Sequence, residues 1–188
     1  MHPLVLLAKS AIENYIENNK IISIPSDFPK EYLKRKAGVF VTIMKQKKLR
    51  GCIGTYLATK ENIAEEVIEN AITAATQDHR FGKIKKEELL LLSYVVYILG
   101  TPEIITDLKE LNPKKYGIII KNIPSLLSEK KDAIFDDWPR AKSGLLLPDL
   151  EGIDNSEEQI DIACQKAGID PEREGITIYK FSAEKYGE

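Results

Sequence analysis

Residues 38–56 read Gly38-Val39-Phe40-Val41-Thr42-Ile43-Met44-Lys45-Gln46-Lys47-Lys48-Leu49-Arg50-Gly51-Cys52-Ile53-Gly54-Thr55-Tyr56. The segments 38–44 and 49–56 are rich in β-branched and aromatic side chains, which are typical of strands. The tetrapeptide 45–48 between them is polar, as an exposed turn should be. This stretch therefore predicts a β-hairpin whose second strand carries an arginine, a cysteine and two glycines.

The second strand places two chemically useful side chains on one face. Side chains two residues apart in a strand point to the same side, roughly 7 Å apart, so Arg50, Cys52, Gly54 and Tyr56 share a face. A cation beside a thiol stabilises the thiolate. Arg50 could therefore activate Cys52, or both could bind an anionic ligand. In the other interpretation Cys52 is a small core residue, and Arg50 pairs with a carboxylate, for which Asp78 is the first candidate.

Two glycines flank Cys52 and admit two explanations. Gly51 and Gly54 lack side chains, which lets a ligand or another backbone approach closely. Glycines within a strand also often mark a bulge or a crossing chain. The sequence is compatible with a binding role and with a purely structural one.

Three segments have the periodicity of amphipathic helices. Pro3 stands at the start of the first, where proline is tolerated, and Thr59 is a candidate N-cap of the second. Ser156 and Gln159 form a candidate capping box for the third, with Gly168 as its C-cap. The predicted helices cover residues 3–18, 60–76 and 157–167.

Apolar segments elsewhere predict further strands, at residues 90–99, 104–105, 116–121, 145–147 and 174–181. The first of these is apolar enough to be buried on both faces. Residues 31–34 predict a short turn, and residues 122–143 a long loop with a helical turn near 125–134. This mixture predicts an α+β fold with mainly antiparallel sheets.

Composition and charge restrict the class of protein. The chain has 188 residues, of which 43% are hydrophobic and 30% charged, as in a globular protein that needs neither disulfides nor metal to fold. Its net charge of −2 argues against binding to nucleic-acid phosphates. The short lysine clusters at 45–48 and 83–86 are interpreted as solubilising loop charge.

Several kinds of site lack support in the sequence. Cys52 and Cys164 are far apart, without a CxxC or Cys/His cluster, so no metal and no cofactor is predicted. His2 and His79 are the two histidines, and neither a phosphate loop nor a nucleophile elbow accompanies them. The apolar run 89–99 is too short to span a membrane. Nothing suggests export, so a cytoplasmic location with reduced thiols is predicted.

The run Leu49-Arg50-Gly51-Cys52-Ile53-Gly54 resembles the hallmark hexapeptide of the AMMECR domain family. The similarity covers nearly the whole chain, and the pattern is most similar to the bacterial and archaeal form called AmmeMemoRadiSam system protein A. Further stretches resemble family elements in the family's order, at residues 39–43, 61–66, 71–76, 78–81, 101–103, 144–148 and 164–168.

The resemblance implies a fold and a set of partners. The fold is one AMMECR domain over residues 1–188, made of two unequal, intimately packed subdomains with mainly antiparallel sheets flanked by helices. The hexapeptide is expected at a cleft between them. Prokaryotic members tend to be encoded beside, or fused to, a Memo-like protein and a radical S-adenosylmethionine protein, which implies these two as partners.

The chain departs from the family pattern at a few positions. His79 stands where relatives carry proline, and Gly82-Lys83 where they carry two prolines. Tyr97 replaces a small or acidic residue and could narrow the cleft. The stretch between residues 120 and 144 is longer than usual. These departures bear on the identity of a substrate more than on the fold.

Two functions of different classes are compatible with these features. The first is a small-molecule enzyme or enzyme component, in which Cys52 and Arg50 are catalytic and act on a small anionic or carbonyl-bearing ligand. The second is a non-catalytic binding or scaffold module for a Memo-like or radical S-adenosylmethionine protein. The predicted binding residues of the site are Gly51, Gly54, Asp78 and Arg80. Asp78 and Arg80 could instead form only a turn and a surface salt bridge.

Overall fold

The computed structural model describes residues 1–122 and 142–187. The helical turn predicted near residues 125–134 lies outside the described residues. The chain forms two units, Met1–Gly100 together with Glu184–Glu188, and Thr101–Ala183. Each unit contains a four-stranded sheet and a hydrophobic core of its own.

The predicted hairpin is confirmed as the centre of the first unit. Strand β1 covers Val39–Lys45, and strand β2 covers Lys48–Gly54 and is antiparallel to β1. Gln46 and Lys47 form the turn with positive φ angles of 51° and 64°. Such angles at both central residues match the twist of two-residue hairpins. The turn is shorter than the predicted tetrapeptide because the strands include its first and last residues.

Two more strands complete the first sheet. Strand β3 covers Leu92–Leu99 and strand β8, numbered by its place in the chain, covers Ala183–Tyr186. The order in the sheet is β2-β1-β3-β8, so β2 lies at an edge. The strand predicted from residue 90 starts at residue 92, because Lys86–Leu91 form a 3₁₀ helix that leaves Leu90 96% exposed.

Helices cover one face of this sheet. Helix α1, Pro3–Asn18, and helix α3, Ile63–Thr76, bury their apolar stripes with the inward side chains of β1 and β3. The proline at the first position of α1 is confirmed. The short helix α2, Lys30–Lys34, corresponds to the turn predicted at 31–34.

Helix α3 begins later than predicted, and its N-cap is Asn62. The Asn62 side chain accepts the amide hydrogen of Glu65 at 3.0 Å. The prediction that Thr59 is the N-cap is therefore wrong. Thr59 donates its hydroxyl to the buried Glu66 carboxylate at 2.9 Å instead. Asn62 lies closer to the apolar stripe and caps the helix instead of Thr59. The Thr59 hydroxyl provides a hydrogen bond that the buried Glu66 carboxylate needs.

The second unit contains the other antiparallel sheet, in the order β4-β7-β5-β6. Its strands are β4 Glu103–Ile104, β5 Gly117–Lys121, β6 Ser143–Leu146 and β7 Thr177–Phe181. They confirm the strands predicted in these regions, and β7 starts three residues later than predicted. Helix α4, Ser156–Ala167, shares a core with this sheet.

The ends of α4 show one wrong prediction and one confirmed one. The N-cap is Asn155, whose side chain accepts the amide hydrogen of Glu158 at 2.9 Å, so the predicted Ser156 cap is displaced by one residue. Gln159 is buried and donates to the carbonyl of Tyr116 at 3.0 Å. Gly168 is the C-cap, with a left-handed φ of 62°.

The predicted α+β class, with mainly antiparallel sheets flanked by helices, is confirmed by these two units. Strand β8 was not predicted, because its sequence Ala-Glu-Lys-Tyr lacks apolar alternation. Among the described helices, none is long and apolar enough to cross a membrane. The single-domain arrangement and the cleft implied by the resemblance stay predictions.

Candidate functional site

A β-bulge interrupts the strand face on which Arg50 was placed. In the β1–β2 register Ile43 lies opposite Gly51 and Met44 lies opposite Leu49, which leaves Arg50 as the extra residue. A bulge bends the strand and re-aims the side chain of the inserted residue. The simple alternation expected from the sequence therefore does not hold between Arg50 and Cys52.

Arg50 is fixed by a carboxylate and two carbonyl oxygens. Its Nε and Nη2 donate to the two oxygens of Glu88, each at 2.9 Å. Its Nη1 and Nη2 donate to the carbonyls of Gly82 and Lys83 at 3.1 and 3.2 Å. The predicted pairing of Arg50 with a carboxylate is right, but the partner is Glu88 and not Asp78. Glu88 lies on the 3₁₀ helix that the sequence did not predict.

The Arg50–Glu88 contact is a tight, mostly buried ion pair. Both side chains are 14% exposed. The hydrogen bonds from Arg50, together with one from Lys45, hold the pKa of the Glu88 carboxyl well below its usual range. The Glu88 carboxylate in turn raises the pKa of Arg50. Arg50 therefore anchors residues 82–88 against the hairpin, and its positive charge is largely compensated by Glu88.

Asp78 and Arg80 cover the outer edge of β2 at Cys52. Asp78 accepts the Cys52 amide hydrogen at 2.8 Å, and Arg80 Nη2 donates to the Cys52 carbonyl at 3.3 Å. The two side chains also bind each other, through Arg80 Nε and Nη2, at 2.9 and 2.8 Å. An ion pair thus takes the place that a neighbouring strand would occupy, which satisfies the edge backbone groups.

The Asp78 carboxylate remains ionised although it is buried. Its side chain is 2% exposed. Hydrogen bonds from Arg80, and one from the Cys52 amide, outweigh the cost of burial and lower the pKa of Asp78 to about 2. Arg80 is 45% exposed, and its bond to Asp78 raises the pKa of the guanidinium. This part of the site therefore holds a permanent ion pair over the physiological pH range.

The Cys52 thiol lies beside a threonine, on a residue whose carbonyl accepts a hydrogen bond from Arg80. Its side chain is partly exposed, and Sγ lies 3.2 Å from Oγ1 of Thr42, the residue opposite it on β1. Arg80 interacts electrostatically with Cys52, which contributes to the raised pKa of the guanidinium. The structure thus places Arg80 at the Cys52 backbone and holds Arg50 on Glu88. Glu88 and Thr42 are two members of this group that the sequence analysis missed.

Gly51 and Gly54 have neighbours where a Cβ would lie. A Cβ on Gly51 would come within 2.6 Å of the Ala74 carbonyl oxygen on α3. A Cβ on Gly54 would come within 2.3 Å of both the Phe40 ring and the Val39 carbonyl oxygen. Gly51 therefore lets α3 approach β2, and since side chains alternate along a strand, Cys52 points to the opposite face. The ligand-binding role of both glycines stays a prediction.

The departures from the family pattern have definite positions. His79 is exposed and follows Asp78 in the chain. Tyr97 is 8% exposed and lies opposite Phe40 in the β1–β3 register. The Lys185 ammonium lies 6.0 Å from the Tyr97 ring centroid, within the range of a cation–π contact.

Cys164 is buried, whereas Cys52 is partly exposed. Cys164 is 3% exposed in the core of the second unit, and burial raises the pKa of its thiol. No disulfide joins the two cysteines. Over residues 1–122 and 142–187, no group of three or more His, Cys, Asp or Glu side chains is placed to hold a metal ion.

The fold and the site define an α+β protein with two antiparallel sheets and a partly exposed cysteine on an edge strand, framed by an aspartate–arginine pair. Comparison with known families gives the same answer as the hexapeptide. The AMMECR1 family model matches residues 5–186, and the chain belongs to that family.

Similar proteins occur in bacteria and archaea. A protein of Thermotoga maritima is 46% identical over 98% of this chain and 97% of its own length. A protein of Clostridium acetobutylicum is 40% identical, but the chain covers 36% of its length. The crystal structure of an uncharacterised protein from Pyrococcus horikoshii is similar with a TM-score of 0.79 and 34% identity, over 98% of this chain and 89% of that one.

Proposed function

We propose that this protein is a small-molecule enzyme, or a component of one, in which the Cys52 thiolate is the reacting group. The observation that carries the proposal is the position of Arg80, which bonds the Cys52 carbonyl at 3.3 Å and interacts electrostatically with its side chain. A neighbouring cation favours the thiolate, which is the nucleophilic form of cysteine. Arg80 thus takes the activating role that the sequence analysis gave to Arg50.

The ion pair with Asp78 fixes the guanidinium, and the Asp78 carboxylate offsets part of its positive charge. Asp78 binds Nε and Nη2 of Arg80 and the amide of Cys52, so one carboxylate positions both the cation and the strand that carries the thiol. Fixed dipoles and charges lower a reaction barrier because they need not reorganise during the reaction. Arg50 acts one step further away, as a positioning residue that holds residues 82–88 through Glu88.

Thr42 supplies a hydroxyl on the same face as the thiol. Its Oγ1 lies 3.2 Å from Sγ, so it can donate a hydrogen bond to a thiolate. Such a bond stabilises the charged form further. A reducing compartment such as the cytoplasm would keep this thiol available, because exposed thiols oxidise elsewhere.

The rate of Cys52 alkylation as a function of pH tests the proposal. The protein is treated with iodoacetamide, and modification of the Cys52 peptide is followed by mass spectrometry, with buried Cys164 as an internal control. We expect half-maximal reactivity clearly below pH 8.5, the ordinary value for a cysteine thiol. If the reactivity of Cys52 is half-maximal at or above pH 8.5, or if Cys52 stays unmodified in the native protein, the proposal that its thiolate is the reacting group is refuted.

A second candidate function is a binding module without chemistry of its own. The Clostridium acetobutylicum relative favours it, because the chain covers 36% of that protein and the domain is joined there to other sequence. The partners implied by the resemblance are a Memo-like protein and a radical S-adenosylmethionine protein. If co-purification with a Memo-like protein is strong and unaffected by Cys52→Ala, this function is favoured over the enzyme.

A further inference from the structure

The two lysine clusters of the sequence lie on segments that are held together in the structure. We call Lys45, Lys47, Lys48, Lys83, Lys85 and Lys86 the basic surface. Glu88 joins its two halves: it accepts hydrogen bonds from Lys45 Nζ at 2.9 Å and from the Lys85 amide at 3.0 Å. Arg50 adds a bond to the Lys83 carbonyl at 3.2 Å. The hairpin tip and the segment after α3 are thus held together.

The basic surface has a large excess of positive charge. Its two segments, residues 45–50 and 78–88, contain eight Lys and Arg side chains and three Asp and Glu side chains, whereas the whole chain has a net charge of −2. All its lysines except Lys45 are exposed, and these five form no salt bridge within the described part of the chain. Charges that only keep a protein in solution are usually of mixed sign. The excess of positive over negative side chains in these two segments therefore needs another explanation.

The basic surface is built on β2, the strand of the proposed reacting group, and on the segment along its edge. Arg50 precedes Cys52 by two residues on β2, and residues 78–88 run along the same edge. At one end of that segment Asp78 and Arg80 bind the Cys52 backbone, and at the other Glu88 binds Arg50. Lys48 is four strand residues from Cys52, roughly 13 Å along β2. This distance exceeds the Debye length of about 8 Å at physiological ionic strength but is well within the roughly 30 Å at 0.01 M salt.

Arg80 also has hydrogen-bonding capacity left for a ligand. Its Nε and Nη2 bind Asp78 and the Cys52 carbonyl, whereas Nη1 makes no hydrogen bond to any residue that the structure describes. The side chain is 45% exposed. The two N–H groups of Nη1 can donate to a carboxylate, phosphate or sulfonate oxygen.

We propose that the basic surface draws a small anionic substrate to Cys52 and that Arg80 Nη1 binds its anionic group. This inference rests on the proposed function, since it names the substrate class of that site. A surface of one sign next to a reacting group raises the local concentration of oppositely charged molecules and their association rate. Lys48 and Lys83 supply the field without touching the thiol.

Charged thiol reagents measure this field without knowledge of the substrate. Methanethiosulfonates transfer an alkylthio group to the thiolate and release methanesulfinate, and they exist with a sulfonate, a methyl or a trimethylammonium end. The rate at Cys52 is measured with each reagent and divided by its rate with 2-mercaptoethanol. The ratio of the anionic to the cationic value does not depend on the thiolate fraction, and its dependence on salt separates the local potential from steric access.

We expect this ratio to be about ten or more at low salt and to fall towards one in about 0.5 M salt. Lys48→Glu combined with Lys83→Glu should bring it close to one. Lys30→Glu combined with Lys34→Glu changes the net charge equally but lies outside both segments, so it should leave the ratio high. A ratio near one for the wild type, or an equal loss in the control pair, overturns the inference.

The neutral methyl reagent separates this inference from the proposed function. If Cys52 reacts slowly even with that reagent, the activated thiol is refuted. If Cys52 reacts readily with the methyl reagent but shows no preference for the anionic reagent, the proposal of an activated thiol is retained and the proposal of an anionic substrate is refuted. Arg80→Lys keeps the charge but alters the geometry of the donor edge, so inorganic phosphate or acetate should protect Cys52 less in this variant than in the wild type.

Discussion

The carboxylate of Asp78 accepts the amide hydrogen of Cys52 at 2.8 Å, across 26 positions of sequence. The same carboxylate binds Arg80, so the segment after α3 is attached to the edge of β2 at the cysteine itself. A change in the charge of Asp78 therefore acts on the fold and on the site together.

Asp78→Asn should lower the free energy of unfolding at neutral pH by about 1–3 kcal/mol, because a buried charge-assisted network loses its central acceptor. The pKa of Asp78 is about 2 in the folded protein. A carboxyl group with a depressed pKa stabilises the fold above its unfolded-state pKa and loses that effect as the pH falls through the folded-state pKa. Urea unfolding should thus show a difference between the proteins that is constant above about pH 5 and shrinks towards about pH 2.

Asp27→Asn is the matched control for this series, because Asp27 is exposed and forms no salt bridge within the described residues. It should leave the stability nearly unchanged, as surface substitutions usually do. A difference between wild type and Asp78→Asn that stays the same down to low pH would mean that the charge of Asp78 is not what stabilises the fold.

Arg80→Gln and Arg50→Gln should have different effects on the thiol. Arg80 interacts electrostatically with Cys52, so its loss should raise the pKa of the Cys52 thiol and slow alkylation at pH 7 several-fold. Arg50 is compensated by Glu88, so its loss should lower stability and leave the alkylation profile in place. The measurements are the pH dependence of alkylation and urea unfolding of both variants. If Arg80→Gln and Arg50→Gln shift the alkylation profile equally, Arg50 activates the thiol as much as Arg80 does.

Local pattern was sufficient to predict much of the fold. The helix at residues 3–18 and the hairpin at residues 39–54 depend on periodicity and on a polar turn, and both are present. The N-cap of α3 could not be settled in this way, because Thr59 and Asn62 are both good caps. Asn62 caps the helix because Thr59 binds the buried Glu66, a contact that only the folded chain creates.

The contacts within the candidate site also depend on the folded chain and cannot be predicted from local pattern. The resemblance identified Cys52, Asp78 and Arg80 as site residues, but their pairing depends on how residues 78–88 run along β2. That course is set by the Arg50–Glu88 ion pair and by the 3₁₀ helix at Lys86–Leu91. The leucines at the end of this helix are also typical of the start of a strand, so the sequence does not indicate the helix. A bulge at Arg50 has no sequence signal beyond a neighbouring glycine.

Gly51→Ala should destabilise the first unit by about 1–3 kcal/mol, the usual cost of overpacking. Its new Cβ would lie 2.6 Å from the Ala74 carbonyl oxygen, and both belong to backbone that cannot move without separating α3 from β2. Gly82→Ala is a useful comparison, since nothing lies within 4 Å of its Cβ position and only the positive φ of 69° is strained. It should cost about 1 kcal/mol. Thermal unfolding of both variants checks that Gly51→Ala is the more destabilising of the two. If Gly51→Ala leaves the stability unchanged, the close approach of α3 does not explain the glycine, and a ligand-binding role is favoured.

Tyr94→Phe should leave the protein as stable as the wild type or more stable by about 1 kcal/mol. The Tyr94 hydroxyl is buried and has no hydrogen-bond partner among the residues that the structure describes, and burial raises the pKa of the phenol. Removing the hydroxyl removes the cost of burying a polar group without a hydrogen bond, and it leaves no other group without its partner. Tyr32→Phe is the matched control: Tyr32 is as buried, but its hydroxyl lies 3.4 Å from Nε2 of His2, so its loss should lower stability. Urea unfolding compares the two, and an equal loss in Tyr94→Phe would show that its hydroxyl does have a partner in the folded protein.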